Sequence, residues 1–163
     1  MKKNIYLTIV WLLAFTIMLT GCLYNNVYEK SPEEIAAMNN ILVTSEKPRL
    51  SPSEKYILEI NYVEIEDVKS FHFRIVDAED RSEIYISDDY YRIRDTYYLL
   101  WGEKDLVWVY SGDLGTFYWE KINENTWEKK SYSENKKHIS VPQTLLDLRP
   151  KYYGQIESSN LFE

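Results

Sequence analysis

One cysteine, two histidines, five glycines and five prolines among 163 residues set the first limits on this chain. With a single Cys there is no intramolecular disulfide to make. So little Gly and Pro excludes a collagen-like or low-complexity polymer, and 15 Tyr with 5 Trp argue against wholesale disorder, since unfolded chains are poor in aromatics. His72 and His138 lie far apart, and neither has a second ligand at metal spacing. An HExxH, a CxxC, a Gly-x-Ser-x-Gly and a phosphate loop are all missing. The expectation is a non-enzymatic protein with no cofactor and no metal. Positive charge is scarce too, with 19 basic against 26 acidic groups and a net charge of −7.

The informative stretch is the start. Met1-Lys2-Lys3-Asn4 is followed by an apolar run from Ile5 to Thr20 and then Gly21-Cys22. A basic beginning, an apolar stretch and a small residue before the cut make a secretory signal peptide, somewhat short for a spanning helix of about 20 residues. Leu19-Thr20-Gly21-Cys22 resembles the lipobox of bacterial lipoproteins at all four positions. The resemblance covers only residues 1–22. It implies removal of residues 1–21, a diacylglyceryl thioether on Cys22, and acylation of the new amino terminus with a fatty acid such as palmitate. Several acyl chains hold a protein stably at a bilayer where one does so only marginally. The expected location is the extracytoplasmic face of a cell membrane, with the lipid bilayer as one partner. Leu23 after Cys22 gives no inner-membrane retention signal of the Asp type.

Removing residues 1–21 takes away Lys2 and Lys3 and no acid, leaving 17 basic and 26 acidic groups, a net charge of −9. Such a chain is repelled by anionic lipid and anionic wall polymers. It is a poor partner for nucleic acid, whose affinity comes largely from neutralised phosphates. A charged protein partner should be basic.

Residues 22–30 read as a tether and 31–50 as a short helix and linker. Ser31-Pro32-Glu33-Glu34 carries a capping box, with Ile35, Met38 and Leu42 on one face. Residues 51–153 read as a β-rich domain with a short C-terminal helix, and 154–163 as a frayed tail. Tyr56, Leu58, Ile60 and Tyr62 alternate with Ile57, Glu59 and Asn61, the pattern of a half-buried strand. The parity then switches to Val63 and Ile65, as a bulge near Tyr62 would produce. Phe71, Phe73 and Ile75 make the next strand, Asp77 to Asp80 a turn, and Ile84 and Ile86 a further strand. Thr96 to Trp101 and Leu106 to Tyr110 are apolar on both faces, the pattern of central strands. Ser111 to Gly115 is a loop into Thr116 to Lys121. Trp127 to Tyr132, with Glu128, Lys129 and Lys130, reads as an edge. Pro142 to Leu148 reads as a short helix stopped by Pro150. The fold expected is mainly β (all-β or α+β): an antiparallel sandwich or partly closed barrel of six or seven short strands with two short flanking helices. Ser51-Pro52-Ser53-Glu54-Lys55-Tyr56 resembles the opening of a β-propeller blade. Only two such units fit in the chain and a propeller needs at least four, so the likeness is to local hairpin grammar.

Carboxylate pairs can hydrolyse glycosides, and Asp88-Asp89, Asp77 with Glu79 and Asp80, and Asp113 with Glu120 are the candidates. Aspartates at strand ends are ordinary turn formers. The Asp77 run also lacks the glycine and distal glutamate of an EF-hand loop. The aromatics form the sharper pattern. If Tyr110 faces Phe117, Trp108 faces Trp119 on the same side of a hairpin, with Tyr118 opposite. Trp108, Tyr110 and Trp119 then share an almost wholly aromatic face, and with Tyr118 they are the candidate binding residues, able to stack on sugars or to grip a partner's apolar side chains. The same rings could instead fill the core of a small domain. The reading is a membrane-anchored lipoprotein that binds another protein, one version being a protective, immunity-type role against a basic toxin. The alternatives are a glycan- or cell-wall-binding module and a structural subunit of an envelope complex.

Overall fold

The structure is a computed structural model describing residues 31–158. The signal segment, Cys22, the tether and the last five residues lie outside the described part. The chain divides into two compact units, Met1–Ile35 and Ala36–Glu163. Of the first, only residues 31–35 are described. They hold the capping box as expected: the Glu34 N–H donates to Ser31 Oγ at 3.2 Å, and the Ser31 N–H to Glu34 Oε2 at 2.7 Å. Helix α1 (Pro32–Ile41) starts there.

The described residues of the second unit contain nine strands: β1 (Arg49–Leu50), β2 (Tyr56–Ile65), β3 (Val68–Asp77), β4 (Glu83–Ile86), β5 (Tyr91–Arg92), β6 (Tyr97–Trp101), β7 (Val107–Ser111), β8 (Gly115–Asn123) and β9 (Thr126–Ser131). Three helices follow, α2 (Tyr132–Asn135), α3 (Gln143–Leu148) and α4 (Pro150–Ser158). One antiparallel sheet has the order β1-β2-β3-β4 with β5 also on β3; the other runs β6-β7-β8-β9. The fold is mainly β, as expected, and neither sheet closes into a barrel. The count exceeds six or seven because β1 and β5, at two residues each, are too short to show a period.

The apolar patterns explain the layering. Leu58, Phe71, Phe73 and Ile75 of the first sheet are fully buried against Leu99, Val107, Val109 and Trp119 of the second. On the opposite face of the second sheet, Leu100, Trp108, Tyr110 and Tyr118 pack against Tyr132, Val141, Leu145 and Tyr153 of the helical layer. The second sheet is therefore covered on both faces, which is why β6 and β7 read as apolar throughout. The first sheet is covered on one face, which is why His72 and Arg74 alternate with the buried Phe71, Phe73 and Ile75. Each buried Phe contributes on the order of 2 kcal/mol, and edge-on pairs such as Phe73 with Trp119, at 4.9 Å, add to that.

Four expectations are corrected. The β2–β3 register runs unbroken from Tyr56↔Asp77 to Ile65↔Val68, so there is no bulge at Tyr62; the parity switch occurs where the hairpin runs into solvent and neither face is selected for burial. β6 is an edge of its sheet rather than central, and the Val43 N–H caps it by donating to the Leu99 carbonyl at 2.7 Å. The short helix expected before Pro150 does stop there, at Leu148, and Pro150 then opens α4, because the first helical position needs no N–H. Residues 154–158, expected to fray, are the end of that helix. The edge strand ends at Ser131 and Tyr132 begins α2.

Candidate functional site

The four aromatic residues proposed as a binding face are all buried: Trp108, Tyr110 and Trp119 are each 1% exposed and Tyr118 5%. They do not share a face. The hairpin pairs Trp108↔Tyr118, Val109↔Phe117, Tyr110↔Thr116 and Ser111↔Gly115, one residue away from the Tyr110–Phe117 pairing. A one-residue slip moves every side chain of a strand to the other face. Trp119 therefore lies between the sheets, while Trp108, Tyr110 and Tyr118 meet the helices. The loop decides the register. Gly112, Asp113 and Leu114 form a three-residue connection completed by Gly115 at φ 94°, a left-handed position that glycine adopts without strain. Asp113 locks it by accepting from Ser111 Oγ at 2.8 Å and pairing with Arg92. These contacts, the Ser111 hydroxyl first, hold the Asp113 carboxyl below its usual range. A sugar platform made of these rings is not available on this surface.

The other candidates are occupied by neighbours. The half-buried His72 sets Nδ1 3.4 Å from the Ser87 carbonyl and lies 5.4 Å from the Tyr90 ring. The exposed His138 ends a turn, its N–H donating to Asn135 O. Asp77 Oδ1 accepts the N–H groups of Glu79 and Asp80 at 2.8 and 3.3 Å, so that cluster is built as a turn. Asp80 is held below its usual range by the Ser82 hydroxyl and N–H. Asp89 pairs with Lys129 and Glu120 with Lys130, both at 2.6 Å. Asp113 and Glu120 thus hold separate cations and do not face one another. Among the described residues no group of three or more His, Cys, Asp and Glu is placed to hold a metal.

Exposed apolar side chains are scattered over the molecule, Leu114 and Ile122 among them, and three of them gather at one end of the first sheet. β2 and β3 run ten residues each; β1 pairs only with Ile57 and Leu58, so β2 runs past it at the hairpin end, while β5 and Ile93 accompany β3 as far as Lys69. Tyr62 is 50% exposed, and Ile65 and Val68 each 40%, flanking the exposed Glu64, Glu66 and Asp67. Glu66 and Asp67 form the whole turn with φ 49° and 63°, a conformation that Asn-Gly adopts far more readily. The acidic excess concentrates on this sheet as well: residues 54–90 carry eleven acids against four basic groups. Glu59, 6% exposed, is held between Arg74, at 2.8 Å, and Arg81, while the acids of the hairpin end face water. Sequence reasoning missed this end, although the parity break at Val63 and Ile65 was its signal.

Comparison with protein-family models, with curated proteins and with solved structures finds no match for this chain.

Proposed function

We propose that this chain is a lipoprotein anchored through Cys22 at the extracytoplasmic face of a cell membrane, and that its β-rich domain binds a basic protein without catalysis. What supports the anchor is Leu19-Thr20-Gly21-Cys22 after an apolar run that begins with two lysines. The observation that carries the binding half is the coincidence, in the segment 54–90 that builds most of the first sheet and its turns, of exposed apolar side chains with eleven of the chain's 26 acids. Complementary charge speeds capture and rejects wrong partners, and exposed apolar side chains rimmed by polar ones are typical of interfaces. A protective role, in which the anchored domain holds a basic toxin, fits these features and needs no catalytic group.

The test has two arms. Cys22→Ser is expected to abolish fatty-acid incorporation and to release the chain from the membrane fraction; a variant that stays labelled and membrane-bound overturns the anchor. The mature chain, used to retain secreted and envelope proteins, is expected to hold a basic protein at low salt and to lose most of it near 0.5 M, where the screening length falls to about 4 Å. Retention of nothing, or of a partner indifferent to salt, overturns the binding half.

A further inference from the structure

Beyond Leu58, the outer edge of β2 has no strand beside it among the described residues. The β1–β2 pairing consists of Arg49↔Leu58 and Leu50↔Ile57. It stops there because Pro48, with no N–H to give a ladder, precedes Arg49. The Lys47 N–H is turned back onto Thr44 O at 3.1 Å. The other side of the hairpin end is covered: β5 pairs with Ser70 and Phe71, and the Ile93 N–H donates to Lys69 O at 3.0 Å.

Register tells which backbone groups the open edge presents. Ile65 and Val68 flank a two-residue turn, so they exchange both ladder bonds, and the pairs alternate from there. Asn61 and Val63 direct their N–H and C=O groups toward β3. Tyr62 and Glu64 direct theirs away, with the same parity as Leu58, which faces β1. Natural sheets blunt such edges with lysine, proline or a bulge. The edge strand β9 follows that rule with Lys129 and Lys130. From Asn61 to Ile65 there is no lysine, no proline and no bulge; the one charge is Glu64.

We propose that the edge of β2 from Asn61 to Ile65 is a strand-addition site for an extended, basic segment of the partner, an inference that rests on the protein-binding reading above. Main-chain bonds to Tyr62 and Glu64 supply affinity, and alternate side chains supply specificity. Because Tyr62 and Glu64 share one face and Val63 and Ile65 the other, the matching segment alternates basic and apolar residues. A second copy of this chain is a poor occupant, since edge-to-edge pairing sets Glu64, Glu66 and Asp67 of one copy against those of the other.

The test uses the whole chain in detergent, with a short alternating Lys-Val peptide and a Glu-Val peptide of equal length as probes. The Lys-Val peptide is expected to bind about tenfold more tightly and to slow hydrogen exchange at the Tyr62 and Glu64 amides. Glu64→Pro removes one outward N–H where an edge strand tolerates proline, and is expected to weaken binding about tenfold with thermal unfolding little changed. Glu64→Lys keeps the backbone intact and is expected to erase the preference between the peptides. Equal affinity for both peptides, amides already protected without peptide, or concentration-dependent dimers each overturn the assignment. A basic partner held equally by wild type and Glu64→Pro overturns it while leaving partner binding standing. Failure of the wild type to hold any partner removes the reading on which it rests.

Discussion

A methyl group at position 102 would lie 2.5 Å from Trp108 Nε1 and 2.6 Å from its Cδ1. Trp108 is 1% exposed and stacked on Tyr118 at 5.1 Å, so the ring has nowhere to go. Gly102→Ala is expected to destabilise the domain by about 1–3 kcal/mol, read as a lower urea midpoint at unchanged m-value. Local chemistry of this kind was only partly legible. Ser31 and Glu34 announced their capping box because both partners lie within one turn. Nothing in the sequence marks Gly102, because its constraint comes from a tryptophan six residues away across a hairpin. The Glu59 clamp was hidden for the same reason: Arg81 reaches it from the turn after β3, a pairing that no spacing rule encodes.

At the scale of elements, the β2–β3 turn holds two non-glycine residues at positive φ. Left-handed backbone costs an ordinary L-residue about 1–2 kcal/mol and aspartate somewhat less. Replacing Glu66→Asn together with Asp67→Gly is expected to raise stability by about 1 kcal/mol, or roughly 4 °C in Tm by calorimetry, while removing two of the charges that face the proposed partner. Strand existence was readable from the period-two alternation of Tyr56, Leu58 and Ile60 and of Phe71, Phe73 and Ile75. Register was not. The loop from Ser111 to Gly115 accepts either a two- or a three-residue connection, and the second goes with Gly115 at positive φ and with the Asp113 contacts to Ser111 and Arg92. That single choice separated the expected aromatic face into two cores.

At the scale of the whole molecule, a chain with no disulfide relies on rings shut in two layers. Burial pushes the phenols of Tyr91, Tyr97 and Tyr153 above their ordinary value. Tyr153 shares a hydrogen bond with Thr116 at 2.8 Å, while the Tyr91 hydroxyl has no partner among the described residues. In the unfolded chain these phenols ionise near pH 10, and in the folded one they stay protonated. Their stabilisation is therefore complete below about pH 10 and is lost as pH rises toward the folded values. Each phenol contributes a slope of up to about 1.4 kcal/mol per pH unit. Phenolate absorbance and circular dichroism are expected to change together in one cooperative step above pH 10. A gradual appearance of phenolate before unfolding would show that the rings are accessible.

The helical layer over the second sheet has a further consequence in time. Residues 132–158, which cover Trp108, Tyr110 and Tyr118, follow the second sheet in the chain and are made after it. Until they arrive, a finished four-stranded sheet presents an uncovered aromatic face to whatever surrounds the growing chain. Exposed surface of this kind in a partly folded chain is what aggregates or engages a chaperone. Helices α2, α3 and α4 are therefore what turns a sticky intermediate into a closed protein, and a chain cut short before Tyr132 would keep its stickiest surface permanently on display.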